Sequence, residues 1–464
     1  MRLLVLLFFL TGCHAFAPEP APQPRLPEAY RLEAGEHALA EQWWKDLGSP
    51  ELDALMDEAF RSAPDLRTAL ARLEQAQAAA AKSGAALWPS LTGGADATQS
   101  WSKDKARNVI GTDAYGLSLA ASYELDLWGR VRALRRADTL EAAASREDLR
   151  AAALSLSGEI AQAWISLCSA RQQLAVLEAQ QRTNADIESM LTLRFSKSLA
   201  SALDVLQQRE AVAESTTRII DQQAEAARLE NRIHLLLGKA PGTLDLSAAA
   251  HLPEPLPLPL TGLPADLLRN RPDIRASWGR LLEAGWDVAA ARADRMPALR
   301  LTGRFEQDGN DAQRIFDNWL ASLAASLTAP IFDGGSRAAE VRRQEAVRSE
   351  RLAAYEKAVF TALSEVDTGV SDVRSQFGLL DALDVQLSAA RSALQSARVR
   401  YQNGVLEYDT VLSLLLKVQQ LERTRIQEHA SLLTSQTGLC RALGRGWRQA
   451  FPDDSPQTLE PEAS

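Results

Sequence analysis

The chain is one pattern written twice, and this internal repeat limits the possible folds more than any other feature. Ala63-Pro64-Asp65-Leu66-Arg67 is answered 208 residues later by Arg271-Pro272-Asp273-Ile274-Arg275, and Trp88-Pro89-Ser90-Leu91 by Met296-Pro297-Ala298-Leu299. Asp126 and Arg130 are answered by Asp333 and Arg337 at a spacing of 207. Arg194-Phe195, Val205-Leu206 and Leu237-Gly238 are answered by Arg400-Tyr401, Val411-Leu412 and Leu443-Gly444 at 206. Two one-residue deletions therefore hold the halves in register throughout. The Pro-rich run at 251–264 reads as the linker between a first repeat at 31–250 and a second at 265–446, with a tail at 447–464.

Each half predicts a helix, two strands, a very long helix, a tight turn and another helix. The first helices begin at the Pro-Asp pairs, where proline and an acid suit a first turn, and end before Pro89 or Pro297. Strands follow at about 90–125 and 298–332. Tyr115, Leu117, Leu119, Ala121, Tyr123 and Leu125 alternate with Gly116, Ser118, Ala120, Ser122 and Glu124. In the second half Leu299, Leu301, Gly303 and Phe305 alternate with Arg300, Thr302, Arg304 and Glu306, and Trp319, Leu323, Leu327 and Ile331 continue the apolar set. Segments of this length can cross a membrane as tilted strands of roughly 9–11 residues. A soluble four-stranded sheet packed on helices accounts for the alternation equally well.

The helical hairpins are expected at about 129–237 and 336–443. Val359, Ala362, Val366, Gly369, Val373, Leu380, Leu383, Leu387, Leu394 and Ala397 follow coiled-coil spacing, as do Leu156, Ile160, Ala163, Leu167, Ala170, Leu174 and Leu177. No proline interrupts 130–195 or 337–401. At ~1.5 Å per residue such a helix reaches on the order of 100 Å, so it must lie against long neighbours. Four strands cannot close a barrel, and open strand edges are not tolerated in lipid. A membrane reading therefore requires several chains to pool strands; three chains supply twelve, within the range of known barrels.

The N-terminus has a basic Arg2, an apolar run Leu3 to Leu10 and then Leu10-Thr11-Gly12-Cys13. The run is too short to span a bilayer and reads as an export signal at 1–12. Gly12-Cys13 fits a lipobox, with Cys13 as the lipidation site and 13–30 as a Pro-rich tether in outer-membrane lipid; an ordinary signal with an incidental cysteine is the alternative. The net charge of −9 argues against a nucleic-acid partner, which needs a basic surface. Cys168 and Cys440 are too few for a disulfide framework or a metal set. No Gly-x-Ser-x-Gly, His-Glu-x-x-His, Cys-x-x-Cys or dinucleotide fingerprint occurs, so neither an enzyme, a cofactor nor a metal is expected. Asp126, Gly129, Arg130 and Asp333, Gly334, Gly335 lie where strand becomes helix; their roles read as structural, with glycine for the bend and aspartate as cap.

Several strings resemble the outer-membrane efflux proteins: TolC-like ducts, and among them the NodT-type lipoproteins of resistance-nodulation-division pumps. They are Trp43-Trp44 with Leu52-Asp53-Ala54-Leu55, Glu124-Leu125-Asp126-Leu127-Trp128-Gly129-Arg130, Asn270-Arg271-Pro272-Asp273-Ile274-Arg275, Pro330-Ile331-Phe332-Asp333-Gly334-Gly335 and Arg400-Tyr401-Gln402-Asn403-Gly404-Val405. The resemblance implies a mainly α fold with a small transmembrane β portion. It also implies a homotrimer with a 12-stranded β-barrel and a long α-helical barrel, fed by a periplasmic adaptor and an inner-membrane proton-driven transporter. Localisation would be the Gram-negative outer membrane, with a long periplasmic portion and no covalent chemistry. Ducts for metal efflux or one-step (type I) protein secretion, and a lipid-anchored coiled-coil scaffold without a pore, are the competing readings.

The family's hairpin tips close the periplasmic end, which places candidate gates at Asp204, Asp409 and Ser413, and tip turns at Ser198 and Gly404. Asp204 reads first as a helix N-cap, and Asp409 reads equally as one. Many relatives carry Tyr-Leu-x-x-Leu-Asp after the second turn. Here the run is Tyr408-Asp409-Thr410-Val411-Leu412-Ser413, so a serine stands at the usual acidic position and an acid one helical turn earlier.

Overall fold

The computed structural model describes residues 16–22, 24–32, 35, 40–103, 109–246, 251–311 and 314–445. The expected signal, Cys13 and the 447–464 tail lie outside the described residues. A 3-10 turn at Trp43–Leu47 buries both tryptophans. It leads into α1 (Pro50–Ser62), where Ser49 caps the Leu52 N–H, and then α2 (Pro64–Ala85). Strands β1 (Ser90–Lys103) and β2 (Val109–Leu125) follow, then α3 (Arg130–Ser196) and α4 (Ala202–Leu236). The second half repeats the plan with α5 (Leu267–Asn270), α6 (Pro272–Ala293), β3 (Ala298–Gly309), β4 (Trp319–Thr328), α7 (Ser336–Gln402) and α8 (Tyr408–Ala442). The halves match in length: α3 and α7 have 67 residues each, α4 and α8 have 35.

The four strands form one antiparallel sheet in the order β1-β2-β3-β4. Among the described residues they pack chiefly on one another, with no extensive helix contact, unlike a soluble sheet backed by helices. Ile331 falls beyond β4: Pro330 has no N–H for the ladder, and the strand ends at Thr328, leaving Ile331 and Phe332 92% exposed.

The register aligns the alternation of all four strands. Leu91 pairs with Ala121 and Gly93 with Leu119; Leu119 pairs with Phe305, and Gly303 with Leu323. Directly paired residues share a face, so one face is apolar from edge to edge. Trp101 and Trp319, both 67% exposed, stand toward its far end. The other face carries Thr92, Asp96, Ser118, Glu124, Arg300, Arg304, Glu306 and Ser326.

The helices hold three main apolar clusters. One joins Trp43, Trp44, Leu52 and Met56 to Ile160, Ile165 and Leu167 of α3. A second joins α6, α7 and α8 through Ile274, Leu281, Val359, Val366 and Leu439. The third lies nearer the tips, where Leu191 and Val205 meet Leu387, Leu394, Val411 and Leu415. The Pro-rich tether is docked where it is described: Phe16 and Trp286 pack on the Ala133–Ala289–Ala290 cluster, and Leu26, Tyr30 and Leu32 lie against the α6–α7 core. Its scattered apolar side chains supply the contact area that a free spacer would lack.

Candidate functional site

The residues singled out from sequence fall in two regions: the strand-to-helix junction and the hairpin tips. At the junction Asp126 accepts from the N–H groups of Val131 (3.1 Å) and Arg132 (2.9 Å). It thereby satisfies the orphan donors of the α3 N-terminus. Asp333 does the same for Gly335 (2.9 Å) and Arg337 (3.2 Å). Those N–H groups hold its carboxyl below the usual range. Gly129 and Gly335 precede the helices with φ of 79° and 87°, and Gly334 has φ of 65°. Trp128 Nε1 donates to Pro297 O at 2.8 Å and ties the two halves together here.

The junction also corrects an equivalence drawn from sequence. The helix starts at Arg130 and Ser336 are 206 apart, so Arg130 is not the structural counterpart of Arg337. The first-half loop holds one extra residue between its aspartate and the helix. Arg130 instead bonds Glu124 at the end of β2 (2.6 Å), whereas Arg337 reaches Asp294 (2.9 Å).

At the first tip Ser198 has φ of 56°, the one non-glycine left-handed residue among the described positions. Gly404 holds the matching place in the second tip, with φ of 73°. Asp204 does not occupy the N-cap: Ser201 does, accepting from the Asp204 N–H (3.1 Å), while the Asp204 carboxylate accepts from the Ser201 N–H (2.9 Å). This is a capping box, which needs its acid three residues into the helix. Asp409 is not an N-cap either. Glu407 precedes α8 without a capping bond, and Asp409 lies exposed in the first turn. Ser413 donates to the Asp409 carbonyl (2.9 Å), so both lie on one exposed helix face. Leu193, Leu199 and Leu203 are each more than 60% exposed at the first tip, and Val405 is 68% exposed at the second.

Sequence reasoning missed a buried polar cluster just above the tips. Tyr408 Oη donates to Gln208 Oε1 (2.5 Å), and Gln208 Nε2 donates to Asn184 O (2.7 Å). Gln419 Nε2 donates to Asn184 Oδ1 (2.9 Å), and Arg423 donates to Gln180 Oε1 (2.6 Å). Asn184 and Gln208 are fully buried. The signal was present: the three-four spacing through Leu174 and Leu177 continues into Gln180, Asn184 and Leu191. Burial beside the Tyr401 ring and Asp204 raises the Tyr408 phenol above its ordinary value. Cys168 and Cys440 are buried free thiols, each pushed up to about 12 chiefly by desolvation. Among the described residues no group of His, Cys, Asp or Glu could hold a metal ion.

Comparison with known proteins fits this anatomy. The profile of the family described as outer membrane efflux protein matches twice, at residues 55–239 and 263–445, once per repeat. The chain is 30% identical to the pyoverdine export outer membrane protein OpmQ of Pseudomonas putida, over 89% of this chain and 90% of that protein. It is 32% identical to the toluene efflux pump outer membrane protein TtgF of Pseudomonas putida, over 94% and 95%. The outer-membrane channel OprN superposes with a TM-score of 0.84 at 28% identity, over 92% of this chain and 99% of that one. The doubled profile match and the shared fold make the chain a member of the outer membrane efflux protein family.

Proposed function

We propose that three copies of this chain form the passive exit duct of a tripartite efflux pump, discharging small molecules across the outer membrane. The observation that carries the reading is the sheet. It is apolar on one face and polar on the other, and its outer strands β1 and β4 have no further partner within the described residues. A four-stranded sheet with open edges cannot sit in lipid. Three such sheets joined edge to edge give twelve strands, with the face of the Leu91–Ala121–Gly303–Leu323 row toward acyl chains and the charged face lining water. Trp101 and Trp319 then stand in an interfacial girdle.

In this reading the helices extend into the periplasm. Asp409 and Ser413 line the closed end, with Asp204 beside it as a gate candidate bound into its capping box. The exposed leucines and valines of the tips receive the periplasmic adaptor, which couples the duct to an inner-membrane, proton-driven transporter. Lipidation at Cys13 adds an anchor in the same membrane, a few residues from the docked Phe16. OpmQ and TtgF are named for pyoverdine export and toluene efflux, which supports a small-molecule cargo delivered by the partner transporter. The duct itself performs no covalent step. Purified full-length protein reconstituted into planar bilayers is expected to give discrete conductance steps, and to run in detergent near three chain masses. A monomer that inserts but never conducts would refute the reading.

A further inference from the structure

We infer that the C-terminal tail at 447–464 docks on its own chain, in a groove that α3, α8 and α7 form on the way to the tips. The groove continues one that the Pro-rich linker already fills. On α8, Gln436, Leu433, His429, Arg425, Glu422 and Val418 follow one another by three or four residues and so share a face. On α3, Gln172, Val176, Ala179 and Thr183 do the same. Near the membrane end of this face the Leu252 N–H donates to Gln172 Oε1 (3.4 Å) and the Leu256 N–H to Gln436 Oε1 (3.1 Å). Gln436 Nε2 donates back to Leu256 O. Both leucines pack on the cluster that holds Leu433 and Cys440. From Arg425 toward the tips the same face frames an open groove of about 660 Å³. Val176 and Thr183 of α3 and Leu394 of α7 wall it, over Leu415 and Ile426 of α8.

Two Pro-rich stretches of this chain dock by one recipe: leucines on the core and an acid facing an arginine. Leu26 and Leu32 lie against the α6–α7 core while Glu19 reaches Arg348 (3.4 Å). Leu252 and Leu256 dock while Glu254 acts electrostatically on Arg425 and His429. The tail has the same make-up. It carries Pro452, Pro456 and Pro461, the apolar Phe451 and Leu459, and the acids Asp453, Asp454, Glu460 and Glu462 against one base, Arg448. The groove supplies the opposite charge. Arg391, Arg398 and Arg425 line it with a single carboxylate, Glu422. Glu422 holds Arg391 (2.8 Å) and Asp384 holds Arg425. Arg398 has no carboxylate partner among the described residues.

The reach fits. From Arg445, at ~1.5 Å per residue, Arg425 lies about 30 Å and Leu415 about 45 Å down α8. The tail fully extended spans on the order of 60 Å, so Leu459, Glu460 and Glu462 arrive over the arginines. Its prolines favour an extended form in advance, which lowers the entropy cost of docking. Docked there, the tail ties α3 of the first repeat to α7 of the second across α8.

Full-length protein carrying a photoreactive side chain, Leu459→p-benzoylphenylalanine, tests this. Irradiation is expected to join the tail to groove residues of α3, α7 or α8 of the same chain, read by mass mapping of peptides. Arg391→Glu with Arg398→Glu should lower the captured fraction about fivefold, as loss of two exposed ion pairs would. Adding Glu460→Arg with Glu462→Arg should restore it. Helical circular dichroism should not change, because both arginines reach solvent. Capture on another chain, on a co-purified protein or elsewhere on this chain would overturn the proposal. So would a tail that is never captured, or capture indifferent to charge reversal. All the contacts lie inside one chain, so either result leaves the exit-duct reading as it stands.

Discussion

Replacing Glu283 by glutamine should stabilise this protein above neutral pH and leave it unchanged in acid. Glu283 sits half-buried on α6, raised from the ordinary 4.5 to about 7. Desolvation is the largest cause, and the carboxylates of Glu141 on α3 and Asp287 one turn along α6 add to it. Arg351 on α7 and Arg280 pull the other way without cancelling it. A carboxyl raised in the folded state holds a proton that the unfolded chain has released. Below pH 4.5 both states are protonated and the group contributes nothing. Stability is then lost as pH rises from 4.5 to about 7, and the full penalty remains above that. At about 1.4 kcal/mol per pKa unit the gap corresponds to about 3 kcal/mol; partial exposure screens this to about 1–2 kcal/mol. Glutamine keeps the shape and cannot ionise. Unfolding free energies from denaturant titrations followed by helical circular dichroism should therefore match wild type at pH 4 and exceed it by about 1–2 kcal/mol at pH 8. Equal midpoints at both pH values, or a variant weaker at pH 8, would refute the electrostatic argument.

Three further outcomes follow from other parts of the molecule. Leu323→Arg places a charge mid-face on the apolar side of β4 and should cost about 2–4 kcal/mol in bilayer refolding titrations, whereas Ser322→Arg on the opposite face should cost little. Ser198→Gly should raise stability by about 0.5–1 kcal/mol, because a side chain at φ of 56° is strained; thermal melting checks this. Cys168 and Cys440 should resist a thiol reagent at pH 8 in native protein and react fully in denaturant, as thiols pushed up to about 12 in an apolar core must; labelling followed by mass measurement reads the outcome.

The repeat made the fold legible, because a long heptad run and a period-two run leave few ways to bury their apolar faces. The strand limit was less so: alternation carries on through Ile331, but the ladder needs an N–H that Pro330 lacks. Aspartates near helix starts can be recognised from sequence, yet their rank depends on a neighbour. Asp204 looks like a cap until Ser201 takes that place. Asn184 and Gln208 escaped notice because seam positions are expected to be apolar, and their partners come from α4 of the same hairpin and from α8 of the other. The docked N-terminal stretch was equally hidden, since proline content suggests reach and says nothing of the residues that Phe16 and Tyr30 find.

Both hairpins run down 67 residues and return 35. Equal legs end at one height, so a ring of them presents a level rim. Shortening a single leg would tilt that rim and spoil its fit to anything pressed against it. Evolution or a designer can alter the reach of this chain only by trimming both legs together, and only in steps that return the seam to its own phase.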